Sequence, residues 1–424
     1  MAGVICLVVF IVTLAALVLT KFDETAIVLL SMSICAIVTY VIGGLSFSVV
    51  LGYVGWDTIL FIMAMMIIIS VLGSSGMFQY MALIIAGRAK GDPKKLYIMF
   101  MSLVFLISLF IHPLPTILIM GAFTVEVCNG LDIDFRPFLI SEAVIANSGS
   151  IATPIASIPD MIIVSIAKMD VGLMFIVLFP LSLILLVLTI VYFLRYYRGA
   201  FVPSPTLATT DLFMVEPSVM IRSRFDFYVS VLALAVLMTG LVLIPSESAI
   251  VGLLVAAALL VLSFDRAKEL LNRLSWDTVF FVVGLFGIVA ALEATGVVED
   301  LVYALGVVGG TNVFVAIIMM IWLPGLVLST MDNVPIAALL APTVAQGTVL
   351  GTLSPVVSQS LILGVNASVY VVPFGDAPNY IVLDIAERNR RPITWTVFTR
   401  ATFPLGILHL AIATIYLFGV AMLL

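Results

Sequence analysis

Runs of about twenty apolar residues, the length a helix needs to cross a hydrocarbon layer of about 30 Å, recur at 3–20, 25–44, 171–194, 226–244 and 398–423 of this chain. They predict membrane-spanning helices. Other apolar segments are interrupted by polar and proline residues, two in each half. The first kind of interruption suits a re-entrant hairpin, with its tip at His112, Pro113 and Pro115 within 95–128, and again at Asp332, Asn333 and Pro335 within 311–345. The second kind suits a broken helix, 137–168 unwound around Gly149 to Ser157 and 354–388 unwound around Ser368 to Ala377. Neither suits a helix facing lipid, because freed backbone groups have no partner there.

The pattern occurs twice at a near-constant offset. Trp56, Asp57 and Thr58 in GWDTILFI recur as Trp276, Asp277 and Thr278 in SWDTVFFV, Gly76 recurs as Gly296, and IHPLP from Ile111 aligns with MDNVP from Met331, all 220 residues apart. Asn147, Pro154, Pro159 and Asp160 align with Asn366, Pro373, Pro378 and Asn379 at 219. The expected organisation is therefore two repeats, 1–198 and 225–424, joined by a Pro-, Ser- and Thr-bearing cytoplasmic linker at 199–224. The fold class is an all-α membrane protein of two inverted repeats, five transmembrane helices each, with one re-entrant hairpin and one broken helix per repeat.

Composition agrees: 63% of the 424 residues are apolar and 10% charged, with a mean hydropathy of +1.31, which excludes a water-soluble globular domain. The first segment carries no basic leader or small-residue cleavage signal and is expected to be a retained helix. Cys6, Cys35 and Cys128 are isolated and read as packing residues. The cations test the topology. With both termini outside, Lys21, Arg88, Lys90, Lys94, Lys95, Arg136, Arg195, Arg198, Arg222, Arg224, Arg266, Lys268, Arg273, Arg388, Arg390, Arg391 and Arg400 fall in the cytoplasm and only Lys168 outside. That asymmetry obeys the positive-inside rule for a multi-pass protein of the plasma membrane. The hairpins then enter from opposite sides, and their tips approach one another near the midplane.

Unwound backbone at membrane depth is tolerated where protein or a wet cavity satisfies it, and half-helix termini and freed carbonyls there make ion sites. The candidate substrate- and ion-binding residues are Asn147, Ser148, Gly149, Ser150, Thr153, Ser157 and Asp160 in the first half and Asp332, Asn333, Asn366, Ser368, Asp376 and Asn379 in the second. Serine, threonine and asparagine also join helices without binding anything. Glu142, Asp160, Asp332 and Asp376 are deep carboxylates with no Lys or Arg expected beside them, so each is either protonated or paired with a cation. Glu142 and His112 are candidates for proton or cation coupling, although a histidine before proline equally suits a helix cap. His409, in an unbroken apolar span, reads as structural. Asp57 and Asp277 read as interface anchors and helix caps. No P-loop pattern occurs, so the chain by itself is neither an ATP-driven pump nor, on this reading, an enzyme.

Four stretches carry a family resemblance: GWDTILFI with Gly76, PFLISEAVIANSGSIATPI from Pro137, LSTMDNVPIAALLAPTV from Leu328, and PFGDAPNYIVLDIAER from Pro373. Together they resemble the ArsB/NhaD-type permeases of the ion transporter superfamily, which includes arsenite permeases, sodium/proton antiporters, the melanosomal P protein and, more distantly, citrate and dicarboxylate carriers. The resemblance implies inverted repeats, a homodimer, and a transport domain that moves against a scaffold. Departures are local. His112-Pro113 stands where such permeases resemble Asp-Asn, and ASIPD at Ala156 to Asp160 stands where they resemble Gly-Asp-Pro-Pro-Asn, whereas Asp332-Asn333 and GDAPN at Gly375 keep the pattern. Neither tip carries the Ser-Asn-Thr triplet of dicarboxylate carriers.

The expected function is ion-coupled secondary transport of a small inorganic or oxyanion-type solute. The alternatives are NhaD-type sodium/proton antiport and carriage of a citrate- or dicarboxylate-type anion; a channel or scaffold suits the paired interruptions less well. The expected partners are the bilayer and a small ion or anion, with no nucleic acid. No cofactor is expected beyond a bound sodium ion, for which Asn147, Asn366 and Asp376 are the candidate ligands.

Overall fold

The computed structural model describes residues 1–19, 22–74, 77–89, 92–201, 224–244, 247–263, 266–272, 274, 276–300, 303, 312–329, 333–349, 355–371 and 377–423. Among them there are helices and no strands. In the first half these are α1 (Ala2–Leu19), α2 (Glu24–Val41), α3 (Phe47–Gly52), α4 (Trp56–Ser74), α5 (Met77–Ala89), α6 (Pro93–Ser108), α7 (Pro113–Gly130), α8 (Arg136–Ser150), α9 (Ile158–Ile166) and α10 (Val171–Tyr196). The second half gives α11 (Arg224–Leu243), α12 (Ser248–Leu262), α13 (Ala267–Asn272), α14 (Trp276–Ala294), α15 (Val313–Trp322), α16 (Asn333–Val349), α17 (Val356–Val371), α18 (Ala377–Arg388) and α19 (Trp395–Leu423), with a π-helical stretch, Leu323–Val327, after α15.

Local chemistry sets the helix starts. Asp23, Asp92, Asp170 and Asn312 each accept a backbone N–H of the following turn and so cap α2, α6, α10 and α15. The repeated Trp-Asp-Thr motif makes the same bond twice: Trp56 Nε1 donates to Leu51 O at 3.2 Å and Trp276 Nε1 to Leu271 O at 3.1 Å. Asp57 and Asp277 were expected as caps. They lie instead inside the first turn of α4 and α14, where a carboxylate faces the positive end of the helix dipole.

Packing partners recur across the halves. Helix α2 packs on α14 as α12 packs on α4, α6 on α8 as α15 on α17, α8 on α10 as α17 on α19, and α9 on α16 as α18 on α7. Two bonds fix the direction of the long helices: Tyr192 OH donates to Ala401 O at 3.0 Å and Tyr416 OH to Val177 O at 2.8 Å, so α10 and α19 run antiparallel. At the centre lie α8, buried from Pro137 to Ser150, and α17, buried over its whole length. A helix covered on every side belongs to the core of the bundle, whereas α1, α2, α11 and α12 leave large apolar side chains such as Val8, Ile37, Leu232 and Leu254 exposed.

The interruptions need two corrections. Helix α8 continues through Gly149 and Ser150, and only Ile151 to Ser157 is non-helical. Helix α17 likewise continues past Ser368 to Val371. The last-turn hydroxyls donate back to carbonyls three residues earlier, Ser150 to Asn147 O (2.9 Å) and Ser368 to Val365 O (2.6 Å), so each serine is satisfied without leaving its helix. The second interruption, 372–376 with Pro373 and Asp376, lies outside the described residues, as do Lys21, Lys90, Gly76, Arg222, Arg273, Asp332 and the linker from 202 to 223. The linker's first residues are described: Phe201 is buried against Tyr97 of α6 and Phe138 of α8. The three cysteines are buried and free.

Candidate functional site

The site forms where the first interruption meets α17. Ser157 caps α9 by accepting the Asp160 N–H at 3.4 Å, and Asp160 stands in the first turn of that helix, completely buried. Across the bundle, Asn366 projects from the middle of α17. Its Nδ2 donates to Asp160 Oδ1 at 2.6 Å and to Ile362 O at 2.9 Å, and its Oδ1 lies 3.4 Å from the hydroxyls of both Ser150 and Ser157. Residues 206 apart in sequence thus share one carboxylate–amide bond. The Ile362 carbonyl assigns the amide: it can only accept, so the nitrogen faces Ile362 O and Asp160 and the oxygen faces the two serines.

The rest of the first interruption is held by the tip between α6 and α7. Thr153 donates to Leu109 O there. Gly149 lies so close to α6 that a Cβ would stand 2.1 Å from Ser108 Oγ and 3.1 Å from Phe105 Cδ2, so this glycine is required by the approach of α6. Tyr97 donates to Ser141 at 2.8 Å nearer the start of both helices. Helices α6 and α8 therefore run parallel, and the α6–α7 tip ends level with the break. His112 caps α7, its Nδ1 accepting Leu114 N–H at 3.4 Å.

The remaining predicted residues are distributed around this centre. Asn147 donates to Ala143 O at 3.1 Å within α8, Asn379 in the first turn of α18 donates to Val369 O at 2.7 Å, and Asn333 opens α16. Glu142 is buried on α8, but its partner is Thr124 of α7 and not the Asp160–Asn366 cluster. The buried atoms with no hydrogen-bond partner among the described residues include Asp160 Oδ2, Glu142 Oε2, Ser148 Oγ and Gln359 Oε1. Orphaned acceptors in a bundle core cost free energy unless a proton, water or ion meets them. Among the described residues no group of three or more His, Cys, Asp or Glu is arranged to hold a metal ion. The oxygens gathered at Asn366 are of the kind that suits a hard monovalent cation.

Sequence reasoning missed Gln359, whose signal was the polar triplet Ser358-Gln359-Ser360 in an apolar helix, and it missed a second polar cluster. Thr189 gives its proton to Leu185 O at 2.7 Å, so His409 Nε2 donates to Thr189 Oγ1 at 3.2 Å, leaving Nδ1 to accept from Tyr370 OH at 3.0 Å. This network ties α10 and α19 to α17 one helical turn beyond Asn366.

A helical bundle with long apolar helices at its rim and two polar helices buried at its core is the architecture of a polytopic membrane protein. Comparison with known proteins gives the family: residues 7–358 match the CitMHS family, described as citrate transporter, and the chain belongs to it. It is similar to an uncharacterized transporter of Mycobacterium tuberculosis, 30% identical over 370 residues covering 86% of each chain, and to a 46 kDa membrane protein of Mycobacterium leprae, 28% identical over 428 residues and 98% of each. In fold it is similar to the YdaH transporter of Alcanivorax borkumensis, with a TM-score of 0.63 at 14% identity over 98% of this chain and 97% of that one. The protein is a membrane transporter, not an enzyme.

Proposed function

We propose that the protein is an ion-coupled secondary transporter of a small inorganic or oxyanion-type solute across the plasma membrane, with Asp160 as the carboxylate that couples transport to a proton or sodium gradient. The observation that carries this is the buried contact of Asp160 with Asn366, one group from each half, at the point where the first spanning path loses its helix. The positive end of α9 and the hydroxyls of Ser150 and Ser157 surround that contact. An anion entering there needs helix N-termini and a co-bound cation, since no Lys or Arg bonds to any residue of the cluster among the described residues. Asp332, Asp376, Asn333, Ser368 and Asn379 belong to the second half of the same site on this reading, and sodium is held by Asn147, Asn366 and Asp376.

The two halves are inverted repeats on this proposal. Equivalent helices α10 and α19 are antiparallel, and Arg391, after α18, approaches Asp134, before α8, to 4.0 Å. In a single half the corresponding loops lie at opposite ends of the broken helix; inversion brings them to one face. The α6–α7 pair is re-entrant, since α6 and α8 are parallel and the tip stops at the break. By the positive-inside rule the face bearing Asp134, Arg136 and Arg391 is cytoplasmic and both termini are outside.

A second reading, carriage of a citrate-type anion, is favoured by the family's description; sodium/proton exchange is the third. Counterflow into liposomes separates them. Uptake of arsenite or phosphate-like anions supports the first, of citrate or dicarboxylates the second, and dye-reported proton movement driven by sodium alone the third; uncoupled ohmic current would refute all three.

A further inference from the structure

A cavity of about 650 Å³ opens between α7 and α18, lined by Leu118, Ala122 and Val125 on one side and Ile381 and Ile385 on the other. Its mouth carries Glu126, Asn129, Asp384, Arg388 and Asn389 on the cation-rich face. Its inner end stops short of a buried carboxylate. The Cβ position of Gly121 lies 3.1 Å from Ile385 Cδ1 and 3.8 Å from Glu142 Oε2, the oxygen with no partner among the described residues. At Gly121 a side chain would fill the gap between the cleft and that oxygen; glycine leaves there the terminal methyls of Ile385 of α18 and of Leu139 of α8, the latter 3.3 Å from the same Cβ position.

We propose that this cleft is an aqueous branch through which Glu142 exchanges a proton with the cation-rich side, independently of the Asp160–Asn366 cluster. Ile385 and Leu139 over Gly121 form the barrier, and a small displacement of α18 against α7 withdraws the Ile385 side of it. The inference rests on the reading of the protein as an ion-coupled carrier and adds a second carboxylate with its own access. Glu142 is faced by Tyr97 of α6, which donates to the neighbouring Ser141, and by Cys128 of α7. Glu126 of α7 and Asp384 and Arg388 of α18 stand across the cleft, with Asp384 and Arg388 paired at 2.9 Å. Helix α17 contributes no charged residue, and α10 carries its one charge, Arg195, in its last turn.

Infrared spectroscopy of the reconstituted protein tests this without any transported solute, so its failure is distinct from failure of the transport reading. A protonated-carboxyl carbonyl band present in the wild type and in Asp160→Asn, and lost in Glu142→Gln, is expected. Its shift on transfer to D₂O should slow by about tenfold or more in Ala122→Phe, because exchange then needs transient opening of the packing. Leu118→Trp fills the same cleft from a half-exposed position and should act alike, whereas Val187→Phe on the outer face of α10 should not. Absence of a Glu142-dependent band across the pH range of the folded protein, or an exchange rate indifferent to both cleft-filling variants, would overturn the proposal.

Discussion

Removal of the amide that faces Asp160 is the most informative perturbation of the site. Asn366 and Asp160 are 1% and 0% exposed, and their bond is 2.6 Å long. Two magnitudes compete. Neutral hydrogen bonds between membrane helices contribute about 0.6 kcal/mol on average, whereas a bond to an ionised group contributes about 1.5–3 kcal/mol. A double-mutant cycle of Asp160→Ala and Asn366→Ala, each of which removes the bond, read as unfolding free energy in detergent or bicelles, therefore distinguishes the states of the carboxyl: a coupling near the upper figure means that an anion is held there, one near the lower figure a neutral acid. Asn366→Ala alone should cost more than the coupling, since it strands an Asp160 oxygen and removes the acceptor for the Ser157 hydroxyl. Ion-coupled uptake should be lost while the protein stays inserted. Additivity of the two substitutions within about 0.3 kcal/mol would refute the contact and with it the assignment of the site.

Three further outcomes are expected. Gly364→Ala should destabilise more than Gly149→Ala in thermal unfolding, because its new Cβ would stand 2.4 Å from Met320 O and 2.7 Å from Ile321 O, backbone atoms that cannot rotate away, whereas Gly149 meets chiefly the Ser108 hydroxyl and should be partly rescued by Ser108→Ala. Burial would raise the Asp134 carboxyl, but its bonds to Arg136 and the nearby Arg391 guanidinium hold it below the ordinary aspartate range. Its contribution is therefore present above about pH 4 and lost as pH falls through the lower folded value; Asp134→Asn should flatten the acid limb of a stability–pH profile. Tyr370→Phe leaves His409 Nδ1 buried without its donor and should cost about 1–3 kcal/mol of stability in chemical denaturation.

The spanning helices were legible because a long apolar run has one low-energy state in a bilayer: 3–20 and 25–44 became Ala2–Leu19 and Glu24–Val41. Asn366 and Asp160 stood out for the same reason, as polar groups in apolar surroundings. That they meet each other was not legible, since the repeat offset of 219 aligns Asn366 with Asn147 and Asp160 with Asn379, and contact across the bundle depends on helix rotation that no local pattern encodes. The sequence pattern starts the first break at Gly149 and the second at Ser368, whereas α8 runs on to Ser150 and α17 to Val371, because a serine that bonds back to its own helix looks in sequence like one in a loop. Thr124, the partner of Glu142, gave no signal at all: a threonine in an apolar helix is indistinguishable by sequence from one that bonds only its own backbone.

The crossed pairing of α2 with α14 and of α12 with α4 bears on how the chain is made. The nascent first half reaches the bilayer before the partner surface of α2 on α14 has been synthesised, so α2 must wait in lipid for some two hundred and fifty residues of further synthesis, from Glu24 to Trp276. Two separately translated halves should then assemble when co-expressed, and a chain stopped before Trp276 should be a substrate for membrane proteases.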